Sequence, residues 1–376
     1  MMKIEVSAPG KTILHGEHAV VYGKAAVAVS VSLRTSLTLI SHENKVVLNL
    51  KNLGLMKEWD LNVLNDYSFP DADGDITPVN EEIIEKITQV FILNSECYSE
   101  SQKLALVAFL YLWIYISKCY NNGSFISCIV DIDSELSVGS GMGSSASYSV
   151  CLAAAMLVFC GRTTPSLLPE DKELINKWAF QAERIFHGKP SGIDNSICTY
   201  GGALLFEEGR VVDILTNLPT FSILLVNTNV PRNTKLLVSN VKQKHELYPS
   251  VVEAIINAID TVSKENWQLM KNLQDSPCEM NTLNKFEDLI EMNHHLLNAL
   301  GVGHAKLDDI HEIAKKYSYS SKLTGAGGGG CAIVFLYPKN GDSSFDLLKM
   351  ELQHHEYEVY DIFMGCTGVQ VKFQGQ

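Results

Sequence analysis

Over residues 25–40 the side chains alternate: Val27, Val29, Val31 and Leu33 fall on one side, and Ala28, Ser30, Ser32 and Arg34 on the other. A period of two is the repeat of a strand packed on one face. The chain must therefore build a sheet and cover it. A cover is visible at 169–187, where Ile175, Trp178, Ala179, Ala182, Ile185 and Phe186 follow helical i, i+3, i+4, i+7 spacing, with proline at the start and Gly188 after the end. Further helices are expected at about 145–160, closed by Gly161, and at 249–273 and 283–300. The β-branched runs "FSILLVNTNV" and "CAIVFLYP" predict strands. This alternation places the chain in the α/β or α+β class.

With 376 residues, 46% of them apolar, the chain can bury a large core, and its length suggests two domains or one large unit. The turn-like "TNLPT" near 215–222 is the expected boundary, giving domains 1–220 and 221–376. Lys and Arg total 30 against 43 acidic residues, a net charge of −13, which argues against nucleic acid or an anionic membrane as partner. Nine cysteines contain no C-x-x-C pair and sit mostly in apolar stretches. They read as reduced thiols of a cytoplasmic protein, not as a disulfide scaffold or zinc site. The start "MMKIEVSAPG" has no apolar signal segment, and the tail "VKFQGQ" no lipidation signal. The apolar run 104–116, between Lys103 and Lys118, is short for a bilayer and reads as a core helix. In the acidic segment 66–85, Asp71, Asp73, Asp75 and Glu82 occupy calcium-loop positions, but Ile76 stands where the turn needs glycine, so a solvated loop is expected.

Three glycine-rich stretches bear on phosphate binding. "APGKT" ends like a P-loop, but Glu5 stands where that motif needs its first glycine, and Lys11 leads into a strand-like segment. "GAGGGGC" matches G-x-G-x-x-G through Gly325, Gly327 and Gly330, yet is expected to follow a helix and precede a strand, the reverse of the dinucleotide-binding context. The stretch 136–161, "LSVGSGMGSSASYSVCLAAAMLVFCG", runs into a helix N-terminus, whose unpaired N–H groups and partial positive charge attract anions. There Gly139, Gly141 and Gly143 let the backbone approach a phosphate, while Ser144 and Ser145 add hydroxyls. A glycine-rich helix entry capped by serines is the alternative.

Phosphoryl transfer also needs a metal-ligand set, a cation and a residue to take or orient the hydroxyl proton. Glu183 borders the apolar face of its helix and either enters a cleft or stays solvated. Asp194, in "HGKPSGIDNSICTYGG", follows a Pro/Gly turn and starts a short helix ending at Gly201, as an N-cap or as a reactive carboxylate. Lys11 follows Pro9-Gly10 on an expected tight turn, at the surface or in a site. His15 and His18 lack the H-E-x-x-H arrangement, so zinc is not indicated there.

"SAPGKTILHGEHAVVYGKAAVAVSVSLRT", "VGSGMGSSASYSVCLAAA", "ERIFHGKPSGIDNSICTYGGAL" and "KLTGAGGGGCAIVF" resemble, in order and spacing, the signature segments of the mevalonate kinase family within the GHMP kinase superfamily. The resemblance covers almost the whole chain, and "HGEHAVVYG" is its most specific part. It implies transfer of the γ-phosphoryl group of ATP, with Mg²⁺, to the 5-hydroxyl of mevalonate. Position by position, it implies that Asp194 is the catalytic base and Lys11 its paired lysine. Ser145 and Glu183 match the Mg²⁺ ligands, and Gly139, Ser140, Gly141, Met142, Gly143, Ser144 and Ser145 match the phosphate loop. Glu17, His18, Arg232, Thr234, Gly325 and Ala326 match residues of the acceptor side, which Asp194 also serves.

The fold implied is α+β in two domains. The N-terminal α/β domain has a left-handed β-α-β unit and carries the phosphate loop, metal ligands and Asp194. The C-terminal domain is ferredoxin-like, with the last strands able to return to the first domain. The resemblance also implies a homodimer and feedback inhibition by prenyl diphosphates. Ser137 and Val138 replace two prolines common in the family, and Ser140 and Met142 replace leucine-alanine variants, which predicts a change in loop stiffness. Residues 41–130 match the pattern poorly and assign no adenine contacts. A phosphomevalonate or sugar kinase, and a non-catalytic binding protein of the same fold, are the alternatives.

Overall fold

The structure, a computed structural model, describes residues 2–61, 76–92, 98–137, 139, 141–231, 233–275, 280–336 and 343–374. Along the chain it places β1 (Lys3–His15), β2 (Ala26–Ser41), β3 (Lys45–Leu50), β4 (Leu55–Asp60), α1 (Glu81–Phe91), α2 (Glu100–Tyr120), β5 (Cys128–Ser134), α3 (Ser144–Phe159), α4 (Pro169–His187) and α5 (Ile193–Tyr200). There follow β6 (Ala203–Glu207), β7 (Arg210–Leu215), β8 (Phe221–Asn227), α6 (Thr234–Leu247), α7 (Pro249–Asp275), α8 (Met280–Leu300) and α9 (Ala305–Lys316). The last elements are β9 (Ser320–Thr324), β10 (Cys331–Leu336), α10 (Ser343–His354), β11 (Glu358–Met364) and β12 (Gln370–Gln374).

Two compact units result. Unit 1 comprises Met1–Gly10, Leu33–Gly201 and Thr367–Gln376, and unit 2 comprises Lys11–Ser32 and Gly202–Cys366. This division departs from a single boundary at 220. Strands β1 and β2 each pass from one unit into the other, residues 202–220 belong to unit 2, and β12 returns to unit 1 to pair with β1, Lys3 opposite Gln374 and Ser7 opposite Gln370.

In unit 1, β5 pairs antiparallel with β2 and parallel with β3, which pairs antiparallel with β4. The helices over this sheet are apolar because they are enclosed. In α3 every residue from Ala146 to Val158 is buried, the pattern of a helix packed on all sides. The apolar run 104–116 lies within α2, whose 21 residues make it longer than the run and long enough by length and composition to cross a bilayer. Its residues 105–117 are all buried, and it packs on α3 and α4. Helix α4 begins with Pro169 and ends at Gly188, as the spacing requires. Ser147 Oγ donates to Ala8 O at 2.7 Å and ties α3 to the first strand.

Unit 2 holds an antiparallel sheet in the order β11-β8-β10-β9. Counted from β8 this is 4-1-3-2, with α6–α9 between its first and second strands and α10 between its third and fourth, the ferredoxin-like β-α-β-β-α-β arrangement. The N-terminal half of β2 pairs with β6 and, at Val31, with β11. Helix α10 buries Leu348 and Leu352 in the same core as Leu224, Val226, Ala332 and Val334 of β8 and β10. Seven described cysteines are free thiols, and burial raises those of Cys128, Cys151 and Cys160, the last two to about 12.

Candidate active site

In unit 1 the loop after β5 delivers Gly139, Gly141 and Gly143 to the N-terminus of α3, all three with positive φ of 73–80°. Only glycine adopts three such conformations without strain. The helix starts at Ser144 with Gly143 as its cap, so no side chain covers the first N–H groups. A cavity of about 340 Å³ opens there, lined by these glycines, Ser144, Ser145, His187 and Asp194. Leu50, Leu53, Leu104, Ile132 and Leu136 also line it. One end thus offers backbone donors and hydroxyls to an anion, and the other an apolar wall suited to a flat ring.

Ser145 and Glu183 lie together: Ser145 Oγ donates to Glu183 Oε2 at 3.3 Å. Glu183 is 1% exposed, so it is not the solvated residue of the two alternatives. His187 went unassigned in the sequence, although it stands one helical turn beyond Glu183. Its Nε2 lies 3.2 Å from Ser145 Oγ and 3.6 Å from Glu183 Oε2. The signal that could have found it is that i, i+4 spacing. Asp194 lies in the first turn of α5, behind Gly192 in a left-handed conformation, and lines the same cavity. Met142 turns inward, 7% exposed, and does not line it. Ser140 and Arg232 lie outside the described residues, as do Asp71, Asp73 and Asp75; Glu82 is in the first turn of α1.

Unit 2 assembles a second group. Lys11 is 8% exposed, and β1 continues through Pro9-Gly10, so the expected turn is absent. Gly10 is needed for close approach instead: a Cβ there would come within 2.5 Å of Leu136 Cδ2 and 3.0 Å of Met142 O, both in unit 1 with Gly10 itself. Beyond β1, Glu17 is 3% exposed and pairs with Lys322 of β9, itself 1% exposed. Asn293 Nδ2 donates to the other Glu17 oxygen at 3.1 Å, and Lys322 Nζ also donates to Leu323 O at 2.7 Å. Burial raises the Glu17 carboxyl and lowers the Lys322 ammonium, while each charge opposes that shift in its partner. His18 has φ 60°, and its Nε2 lies 2.8 Å from Ala326 O; burial lowers its pKa. His15, fully buried, is held well below the usual histidine range by burial and then by the Lys322 charge.

The tract Gly325–Gly330 is the turn between β9 and β10, so it follows a strand and not a helix as expected. Gly328 N donates to Val302 O at 2.8 Å, and Thr12 and Thr324 share a hydrogen bond of 2.7 Å between their hydroxyls. Thr234 opens α6 in an exposed position. Sequence reasoning missed Lys322, Asn293 and Thr324, whose partners lie about 300 positions away and leave no local trace.

A glycine-lined helix N-terminus beside a serine, a buried glutamate and an aspartate defines a phosphotransferase class of site. Residues 109–202 match the family described as GHMP kinases N terminal domain, and residues 269–345 match GHMP kinases C terminal. The mevalonate kinase of Homo sapiens is 44% identical, over 97% of this chain and 94% of its own length. That of Bos taurus is 43% identical over the same shares. The crystal structure of the Methanococcus jannaschii mevalonate kinase superposes with a TM-score of 0.72 at 25% identity, covering 96% of this chain and 98% of that one. The chain belongs to the mevalonate kinase family.

Proposed function

We propose that this chain transfers the γ-phosphoryl group of ATP to the 5-hydroxyl of mevalonate, giving 5-phosphomevalonate and ADP in isoprenoid precursor synthesis. Family membership over nearly the whole chain supports the reaction. The observation that carries it to residues is the single cavity in which Asp194, Ser145 and the glycine loop meet. The phosphates of ATP lie against the α3 N-terminus, where backbone N–H groups and Ser144 hold them. Adenine fits the apolar wall of Leu50, Leu53 and Leu104, in the region for which the sequence assigned no contacts.

A primary alcohol is a weak nucleophile near neutral pH. Asp194 takes or orients its proton, a role worth about 10²–10⁴ in rate. Lys11 supplies positive charge for the developing alkoxide. Glu17 and His18 hold the acceptor; the Lys322 and Asn293 contacts fix the Glu17 carboxylate, and the Ala326 carbonyl fixes the His18 ring. Gly325, Ala326, Thr234 and Arg232 are assigned to the same acceptor side.

The donor set fits Mg²⁺: a hydroxyl oxygen and a buried carboxylate 3.3 Å apart are the hard oxygen ligands this ion takes alongside phosphate and water. When bound, Mg²⁺ neutralises phosphate charge. Ser145 and Glu183 would hold it, and His187 beside them orients the serine hydroxyl. A homodimer and inhibition by prenyl diphosphates competing with ATP rest on the family resemblance, and a cytoplasmic location on the reduced-cysteine pattern.

The test is ADP release from Mg²⁺-ATP with mevalonate, phosphomevalonate, galactose, homoserine or no acceptor. Turnover with mevalonate alone is expected. Preference for another acceptor would reassign the substrate, and activity with none would leave a nucleotide-binding protein.

A further inference from the structure

In unit 2, α8 and α9 bring together Glu291, His295 and His311, none of which serves the kinase site. One ligand atom from each lies within 4.8 Å of the other two. Glu291 and His295 stand four residues apart on α8, which puts both side chains on one helix face. His311 arrives from α9, 3% exposed, and the His295 ring meets its ring edge-on, with centroids 5.7 Å apart and planes at 78°.

The His311 ring is fixed from behind. Its Nδ1 lies 3.2 Å from Ser321 O and 3.3 Å from Ser321 Oγ, and the His294 ring stacks on it at 4.0 Å. With the Nδ1 proton donated to the Ser321 carbonyl, Nε2 carries a lone pair. That atom is buried, makes no hydrogen bond, and sits 3.4 Å from Glu291 Oε2. A lone pair facing a carboxylate is repulsive, and either a proton on Nε2 or a metal cation between the two atoms relieves it.

We infer that Glu291, His295 and His311 form a binding site for a divalent transition cation of the zinc type, clamping α8 to α9. Two imidazole nitrogens and one carboxylate oxygen suit such an ion and not Mg²⁺ or Ca²⁺, which prefer all-oxygen sets. Bonds of about 2.0–2.2 Å to a tetrahedral ion place its ligand atoms roughly 3.3–3.5 Å apart. The Glu291–His311 pair already has that separation, and rotation of the exposed His295 ring closes the third side. The fourth position remains for water. The Ser321 contact is the outer hydrogen bond that orients a ligating histidine. Ser321 precedes Lys322, so the ion would also steady the strand that supplies the partner of Glu17.

The test is titration of the full-length, chelator-stripped protein with Co²⁺, with Mg²⁺ in excess to fill oxygen-donor sites, read by visible absorption and equilibrium dialysis. The expected result is one Co²⁺ per chain, with the intense bands of tetrahedral coordination, displaced by Zn²⁺. Glu291→Gln and His295→Ala should each weaken binding at least about tenfold. Unchanged kinase turnover in His295→Ala would show that the fold survives. Absence of tetrahedral bands, or binding undiminished in both variants, overturns the site.

Discussion

Replacing Lys322 by Met tests the buried core of unit 2 and the placement of Glu17 together. In the native protein the two side chains are 0% and 1% exposed and share a hydrogen bond. Lys322→Met keeps the aliphatic stem and removes the charge, leaving the Glu17 carboxylate with Asn293 as its remaining side-chain donor. Removing one partner of a buried pair costs about 3–5 kcal/mol, because the other charge stays desolvated. In a unit of this size that lowers the unfolding temperature by about 6–20 °C.

The loss should depend on pH in a defined direction. Glu17 is raised by burial, and Lys322 opposes that rise; without Lys322 the folded-state pKa climbs further. An acid whose folded pKa lies above its unfolded value binds protons more tightly when folded. Its contribution is therefore fully present below the unfolded pKa and is lost as pH rises through the folded one. Lys322→Met should accordingly lie closer to wild type at about pH 5 than at about pH 8, and Glu17→Gln/Lys322→Met should recover most of the loss. The assay is thermal unfolding of the three proteins across that range by circular dichroism. A Lys322→Met variant within about 1 kcal/mol of wild type at every pH would refute the reasoning.

Asp194→Asn should lower kcat by about 10²–10⁴ while a fluorescent ATP analogue still binds; near-normal turnover would remove Asp194 from proton transfer. Glu183→Gln should raise the Mg²⁺ concentration needed for half-maximal rate, and an unchanged titration would leave Ser145 without its proposed partner ligand. Gly327→Ala would set a Cβ 2.1 Å from Val302 O at a φ of +77°. It should cost about 1–3 kcal/mol in unfolding experiments, and a neutral result would mean that the β9–β10 turn moves aside.

Where the sequence was legible, a local pattern and its tertiary setting agreed. Helix α4 is fixed by its apolar spacing, Pro169 and Gly188, and α3 by glycines that cannot continue backward as helix. The Ser145–Glu183 meeting follows once two helices of this kind pack together. What stayed hidden depends on distance along the chain. Pro9-Gly10 has the composition of a turn, yet β1 continues through it, and the glycine is there because Leu136 and Met142 occupy the space a larger residue would need. Lys322, within "SSKLT", carries no mark of a buried cation until Glu17 is set beside it. The division into units was hidden likewise, since β1 and β2 look like ordinary single strands yet serve both.

The pairing of β1 with β12 has a consequence for synthesis. Residues 3–7 leave the ribosome long before the strand that completes their hydrogen bonds. Until then the nascent chain carries an open strand edge, the kind of surface that recruits foreign strands. In the finished protein the same pairing holds Lys3 opposite Gln374. A short polar linker between those two residues, with new ends opened in an exposed loop, would leave every described strand beside its neighbour.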